Sequence, residues 1–292
     1  MRVSRWRAAR PGPAGWTLLG ILAAGLLAAA ALGLGPRDLL PREGGGATAL
    51  RFFRAALEPA LDYEDPVLRE RASQPYVLTL LLALWRTLAF ACAAILASLW
   101  GGFGLGFLAS SSWWEDEAGD PGTGRLFRGL RPAVQAGVRL LIGLLRSVHE
   151  LLWAVLFSAA FGLQPITAVL ALALPYTGNL AKIWSEMLDE APAGPARALR
   201  QLGARPLQVF LFGRLPRALP DMAAYGFYQL ECAIRSSMVL GFFGVGTLGL
   251  LLRQSFLEVH FREVWTVLYL VFALVLLMET WSGRLRRRWR LA

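Results

Sequence analysis

Glu231 and Arg235 stand four residues apart inside an apolar run, a spacing that puts both on one face of a helix. An ionisable group at the centre of a membrane helix costs about 2.5–3.5 kcal/mol on insertion scales, so such residues are usually paired or functional. Two roles are open for this pair: a self-neutralising structural contact, or the lining of a path for a charged solute. Glu150 begins a second apolar run, beside His149. Lys182 and Glu186 repeat the i,i+4 spacing after Tyr176 and Asn179. Structural and functional roles are equally open for these four. Arg86, early in a third run, is expected to snorkel outward, its stem along the apolar surface and its head toward water, with a pathway role as the lesser alternative.

None of these groups forms a catalytic constellation. Ser236 and Ser237 have no base at motif spacing. The two histidines, His149 and His260, are too few and too far apart for a metal motif. Cys92 and Cys232 both lie in apolar runs, which implies no disulfide framework. The run from Gly244 through Gly246 to Gly249 fits G-x-G-x-x-G, but no strand precedes it and its surroundings are hydrophobic. Small residues there let helices approach closely or break. The sequence contains no G-x-x-x-x-G-K-[ST], so no ATP is expected on this chain through that motif.

The elements that would position these residues are membrane helices. Of 292 residues, 56% are hydrophobic and 17% charged, and the mean hydropathy is +0.48. Soluble domains average about 25% charged residues. A collagen, a disordered chain and a disulfide-stapled secreted domain are excluded. The net charge of +10 comes from 29 arginines and Lys182. The arginines flank apolar runs and form no stripe on a soluble face, so they read as cytoplasmic anchors and not as a nucleic-acid footprint.

A bilayer core of about 30 Å needs roughly 20 apolar residues per helix. Six spans are predicted: Trp16–Leu34, within Val77–Ala109, Ser147–Phe161, Ile166–Trp184, Met222–Leu252 interrupted at Gly241–Gly249, and Val264–Trp281. The first resembles a signal peptide but is longer than a usual apolar region of about 7–15 residues, so it reads as an uncleaved helix. Residues 36–75 read as an extramembrane loop with some helix near Ala47–Leu61. Ser110–Pro132 reads as a polar loop, and Ala133–Arg146 as an amphipathic helix. The first ten residues carry four arginines and the tail from Ser282 five, both without acids, whereas Pro36–Pro75 has six arginines against seven acids. With six spans both basic ends fall on one side, as the positive-inside rule requires, so both termini are expected in the cytoplasm.

Between the fourth and fifth spans, Asp189–Pro220 reads as two short cytoplasmic helices joined by a bend. Pro195 suits a first helical turn, Gly203 a turn, and Pro206 the start of the next helix. Pro216 is expected to end that helix before the fifth span. The feature is either a docking element or an ordinary helical loop.

Aligned on Gly203, this segment resembles the EAA loop of ABC importer permeases. Arg197, Ala198 and Leu199 stand where the family carries Glu-Ala-Ala or Glu-Ala-Leu; Gly203 and Ala204 follow, and Leu215-Pro216 closes the loop. Arg197 in place of the glutamate is a departure. More of the chain is similar to the permease subunits of phosphonate and related phosphorus-oxyanion importers. The similar segments are Arg146–Phe157, Leu180–Glu190, the loop, and Glu231–Gly249, within about Arg131–Leu252. The loop at 36–75 and the acidic Trp113–Glu117 patch have no match in that family.

The resemblance implies an all-α, polytopic, type I permease fold. Residues 1–75 are expected to hold the first membrane helix and extracytoplasmic loop, and 76–292 the permease domain with its coupling loop at 189–216. It implies a transport subunit of the bacterial cytoplasmic membrane and not an enzyme, with ATP bound and hydrolysed on separate ABC ATPase subunits. It implies an extracytoplasmic substrate-binding protein, a second permease copy or paralogue, and membrane lipid as partners, and no nucleic acid. Glu150, Glu231, Arg235 and Ser236 are implied to line the translocation pathway. The alternative is an ATP-independent secondary transporter or channel for small anions, which inverted repeats and more intramembrane carboxylates would support.

Overall fold

Thirteen α-helices account for most of the computed structural model, which describes residues 13–35, 43–118 and 125–290; none of the described residues is in a strand. The basic head at 1–10 and the start of the expected loop at 36–42 lie outside the described residues. Contacts divide the chain into residues 1–54 and 55–292.

The first unit holds α1 (Pro13–Ala31) and most of α2 (Gly45–Ala55). In α1 apolar residues fall on every face, the composition of a helix meant for lipid. In α2 Arg51 and Arg54 lie about one turn apart and flank Phe52 and Phe53, and the helix is amphipathic.

The second unit continues with α3 (Pro66–Arg71), α4 (Tyr76–Ala109), α5 (Ser111–Ala118), α6 (Arg125–Ser147), α7 (Glu150–Phe161) and α8 (Pro165–Glu190). It ends with α9 (Ala193–Gln201), α10 (Pro206–Gln208), α11 (Leu215–Val239), α12 (Leu248–Leu257) and α13 (Phe261–Arg290). Among the described residues three helices are long and apolar enough to cross a membrane: Tyr76–Ala109, Pro165–Glu190 and Phe261–Leu285. Gly129–Ser147 and Glu150–Phe161 pass that test only together, bent by 90°.

The core forms where α4 meets α8. Gly102 and Gly106 present bare backbone to α8; a Cβ on Gly102 would stand 2.7 Å from Leu180 Cβ, and one on Gly106 3.1 Å from the Ala181 carbonyl oxygen. Two small residues at i,i+4 let the axes close up, as in membrane helix pairs generally. Ser98 is fully buried and donates to the carbonyls of Ala94 at 2.7 Å and Ala173 at 3.0 Å, so its hydroxyl adds a polar tie between the same helices. Trp184 donates from Nε1 to the Met222 carbonyl at 2.9 Å and ties α8 to α11.

Several expected boundaries shift. The amphipathic helix runs from Arg125, through Pro132, and absorbs the last part of the expected loop at 110–132; α5 takes Ser111–Ala118, and 119–124 lie outside the described residues. The expected third span shortens to the 12 residues of α7, because His149 caps a new helix, its Nδ1 accepting from Leu151 N–H at 3.3 Å. Twelve residues rise only about 18 Å, so α7 crosses a bilayer only together with α6. Helix in the loop before Tyr76 occupies Gly45–Ala55 and Pro66–Arg71, and 56–65 is non-helical.

Pro216 does not end a helix. The chain is helical without a gap from Pro206 to Val239, through a π-helical turn at Val209–Arg214. Pro216 sits in the first turn of α11, where its missing N–H is tolerated. The wide turn carries Leu215 N–H to the Phe210 carbonyl, five residues back, and makes room for the proline ring.

The expected interruption of the fifth span is a 3₁₀ turn at Leu240–Phe243 followed by Gly244 with φ +86°. Here backbone lies on backbone: a Cβ on Gly249 would meet the Met238 carbonyl, and one on Gly241 the Leu250 nitrogen. Thr87, fully buried, accepts from Leu248 N–H at 3.0 Å and caps α12 from α4. Arg86 lies against the same break, since its Nη1 is 2.9 Å from where a Cβ on Gly246 would stand.

Residues 56–65 are clasped to the start of α13. The buried Glu263 carboxylate accepts from Glu64 N–H at 2.8 Å and from the Ser255 hydroxyl at 2.7 Å. Glu64 in turn accepts from Arg262 N–H at 3.0 Å, and Thr266 donates to the Ala60 carbonyl at 2.6 Å.

Candidate functional site

Two groups of residues carry the functional question: the loop around Gly203 and the polar side chains on α7, α8 and α11.

In the loop, α9 stops where Gly203 adopts φ +82°, a conformation that favours glycine. The chain then re-enters helix at Pro206, with Arg205 N–H donating to Gln208 Oε1 at 2.9 Å. Ala196 is 1% exposed and rests on Gly213; a Cβ on Gly213 would stand 2.9 Å from Ala196 Cα. This contact fixes α9 against the base of α11. It leaves the other face outward, with Arg197 and Ala198 exposed, Leu199 half-buried, and Leu202 84% exposed at the turn. Ala204 and Leu215 are half-buried and Pro216 exposed.

The loop is also tied sideways. Phe210 is buried against Phe107 of α4, ring centroids 4.7 Å apart, and Phe107 against Trp113 of α5 at 4.4 Å. Asp189, in the last turn of α8, accepts from Ser110 Oγ at 2.7 Å, Ser111 N–H at 3.0 Å and Ser112 N–H at 2.9 Å. A carboxylate at the start of α5 satisfies amides that have no partner inside the helix. From α6, Arg139 donates to the Ala109 carbonyl at 3.0 Å and to Ser111 Oγ at 2.9 Å. Beside this joint lies a polar recess of about 280 Å³, lined by Arg139, Arg146, Lys182, Glu186 and Asp189. Lys182 and Glu186 pair at 2.5 Å, as their spacing predicts. The sequence reading missed Asp189, Arg139, Ala196, Gly213 and Phe210, whose partners are distant in the chain.

The second group is joined by one hydroxyl. Ser236 donates to Glu150 Oε1 at 2.7 Å and accepts from the Tyr176 hydroxyl at 2.9 Å. The bonds link α7, α8 and α11 across 60 and 86 residues of sequence. Of the four expected pathway residues the structure brings Glu150 and Ser236 into contact and adds Tyr176. His149 Nε2 lies 3.8 Å from the second oxygen of Glu150. Glu231 is half-buried one turn before Arg235, and Arg235 is exposed, its Nη2 3.4 Å from Cys232 Sγ. The cluster presents one carboxylate, two hydroxyls and an exposed guanidinium, able to exchange hydrogen bonds with a polar anion.

Residues 123–291, more than half of the chain, match the family described as binding-protein-dependent transport system inner membrane component. The phosphite transport system permease protein PtxC of Stutzerimonas stutzeri is 35% identical over 159 residues, 54% of this chain and 58% of that protein. The phosphate-import permease protein PhnE of Mycolicibacterium smegmatis is 33% identical over 157 residues, 54% of this chain and 30% of that one. The match thus spans little more than half of the first relative and less than a third of the second. Among solved structures, a chain of the MetNI methionine ABC transporter in an inward-facing conformation aligns with TM-score 0.61 at 24% identity, over 74% of this chain and 99% of that one. A chain of an amino acid ABC transporter aligns with TM-score 0.60 at 16% identity, over 73% and 95%. At these identities the two structures establish the fold alone, one shared with chains of ABC transporters.

Proposed function

Because the chain belongs to the family of inner membrane components of binding-protein-dependent transport systems, we propose that it is the membrane-spanning subunit of an ATP-driven importer for phosphonate or a related small phosphorus oxyanion. The observation that carries the reading is the exposed helix–turn–helix at Ala193–Gln208, held on α11 by Ala196 and Gly213 inside the region that matches the family. The substrate class is supported by the names of the relatives, which transport phosphite and phosphate.

In this reading ATPase subunits grip Arg197, Ala198, Leu199, Gly203 and Ala204, and bind and hydrolyse the ATP. A binding protein delivers the anion from outside, and a second permease copy or paralogue, bedded in lipid, completes the path. Closure of the ATPases moves α9. The Ala196–Gly213 contact passes that motion to α11 through Leu215 and Pro216, the Phe210 rings pass it to α4, and Asp189 passes it to α5 and α6. The spans then switch the side on which the path is open. Arg235 meets the oxyanion, Ser236 and Tyr176 offer hydroxyls, and Glu150 and Glu231 keep the anion from being trapped.

The test is purification of the tagged protein from its native membrane in mild detergent, followed by phosphite uptake into proteoliposomes. A co-purifying subunit with a G-x-x-x-x-G-K-[ST] sequence and uptake that requires ATP are expected. Uptake by this chain alone without ATP would refute the reading in favour of a secondary transporter or channel.

A further inference from the structure

The polar recess of about 280 Å³ between α6 and α8 holds more hydrogen-bond donors than the protein itself uses. Arg139 and Arg146, two turns apart on α6, line one wall; Lys182, Ser185, Glu186 and Asp189, on one face of α8, line the other. Both acids are engaged. Asp189 accepts from Ser110, Ser111 and Ser112, and Glu186 pairs with Lys182. The arginines are not saturated. Arg139 donates from Nε and Nη2 to the Ala109 carbonyl and from Nη2 to Ser111, and its Nη1 has no acceptor among the described residues. Arg146 makes no hydrogen bond or ion pair among the described residues. The recess closes where α6 meets α8, since a Cβ on Gly178 would stand 3.0 Å from Leu145 Cβ. It is open at Gly143, where a Cβ would meet no atom within 4 Å. Next to Gly143 on α6, Leu140 and Leu144 are 74% and 53% exposed.

We infer that this recess holds the phosphate of an anionic phospholipid, whose acyl chains lie along Leu140 and Leu144 of α6. The site goes beyond the importer reading and needs no ATPase subunit. The planar fork of a guanidinium matches two phosphate oxygens, and the Lys182 ammonium can share its donors between Glu186 and a third. Three cations against two acids leave the lining one positive charge, the complement of a phosphodiester. Two observations favour a lipid over a free anion. A water-soluble anion makes no use of the exposed leucines, whereas an amphiphile covers them and the charges together. The recess also lies where α8 changes character: Pro165 to Ala181 carry no charge, and Lys182, Glu186, Asp189 and Glu190 follow. That change marks a membrane boundary, and basic pockets between helices at such a level take anionic headgroups. A phosphate held there accepts from α6 and α8 at once, so it reinforces the tie that Arg139 makes beside Asp189.

The experiment melts the delipidated full-length protein in detergent with short-chain phosphatidylglycerol, with phosphatidylcholine of the same chains, or with sodium phosphate. Wild type is compared with Arg146→Gln, Arg146→Lys and Gly143→Phe, the last of which narrows the open end without altering a charge. Phosphatidylglycerol is expected to raise the wild-type melting temperature, and its concentration dependence gives a Kd. Arg146→Gln should raise that Kd about tenfold through loss of a charge-assisted bond, and Gly143→Phe should raise it as much. Arg146→Lys keeps the charge without the fork and should raise it less. Phosphatidylcholine, whose headgroup is neutral overall, should bind at least about tenfold more weakly than phosphatidylglycerol. Each variant's lipid-free melting temperature is its own reference, and mass spectrometry of the phospholipid that co-purifies from native membrane gives a readout independent of melting. Undiminished affinity for phosphatidylglycerol in Arg146→Gln or in Gly143→Phe would overturn the inference. Equal affinity for phosphatidylcholine would overturn it by removing the role of charge. A matching shift with sodium phosphate alone, lost in Arg146→Gln, would assign the recess to a soluble anion and overturn it equally.

Discussion

The hydroxyl of Ser236 accepts from Tyr176 and donates to Glu150, so one oxygen holds three helices in register. Ser236→Ala leaves the Tyr176 hydroxyl without its acceptor and removes a donor from a half-buried carboxylate. The expected loss is about 1–3 kcal/mol, measured as a lower melting temperature of the purified protein. Ser236→Thr keeps a hydroxyl and should retain most of the stability; an alanine variant that melts like the wild type would show that the contact contributes nothing. At this scale the sequence was informative only about residue type. Glu150 stood out as an ionisable group at the start of an apolar run and Ser236 entered through the family resemblance, but their contact spans 86 positions, and no periodicity reports a pairing that tertiary structure creates. The i,i+4 pair of Lys182 and Glu186 was legible because its geometry is local.

Helices show the same divide between local and distant causes. The limits of α4 at Tyr76–Ala109 nearly match the apolar run, since no proline and only the one charge of Arg86 falls within it. The start of α6 was hidden by Pro132 and the glycines nearby, which read as loop until packing of Ile142 and Leu145 on α8 holds the whole amphipathic helix in place. The turn at Gly203 was legible from its glycine, whereas the π-helical turn that carries the chain through Pro216 has no sequence signature. Helix α5 depends on an acid borrowed from α8. Asp189→Ala removes the acceptors of the Ser111 and Ser112 amides. Their hydrogen exchange should quicken by about tenfold for each 1.4 kcal/mol of lost protection, while amides in the centre of α8 stay slow. Unchanged exchange at the two serines would mean that α5 forms without its cap.

For the molecule as a whole, the basic ends and the loop charges predict which parts face which side of the inner membrane. Leu61 and Leu202 are 73% and 84% exposed, one in the clasped segment before α4 and the other at the turn beside Gly203. In a protein whose Cys92 and Cys232 are replaced by alanine, Leu61→Cys should react with a membrane-impermeant maleimide in intact cells, and Leu202→Cys only after permeabilisation. Labelling of both from one side would reverse the assignment. Gly241 and Gly249 bear on a different property, the way the gene tolerates change. At many apolar positions one aliphatic residue replaces another of similar volume at small cost. At these two codons every missense change adds a side chain, and even alanine drives a carbon into the backbone of Leu250 or Met238. At these two positions the break between α11 and α12 therefore has no graded series of milder variants.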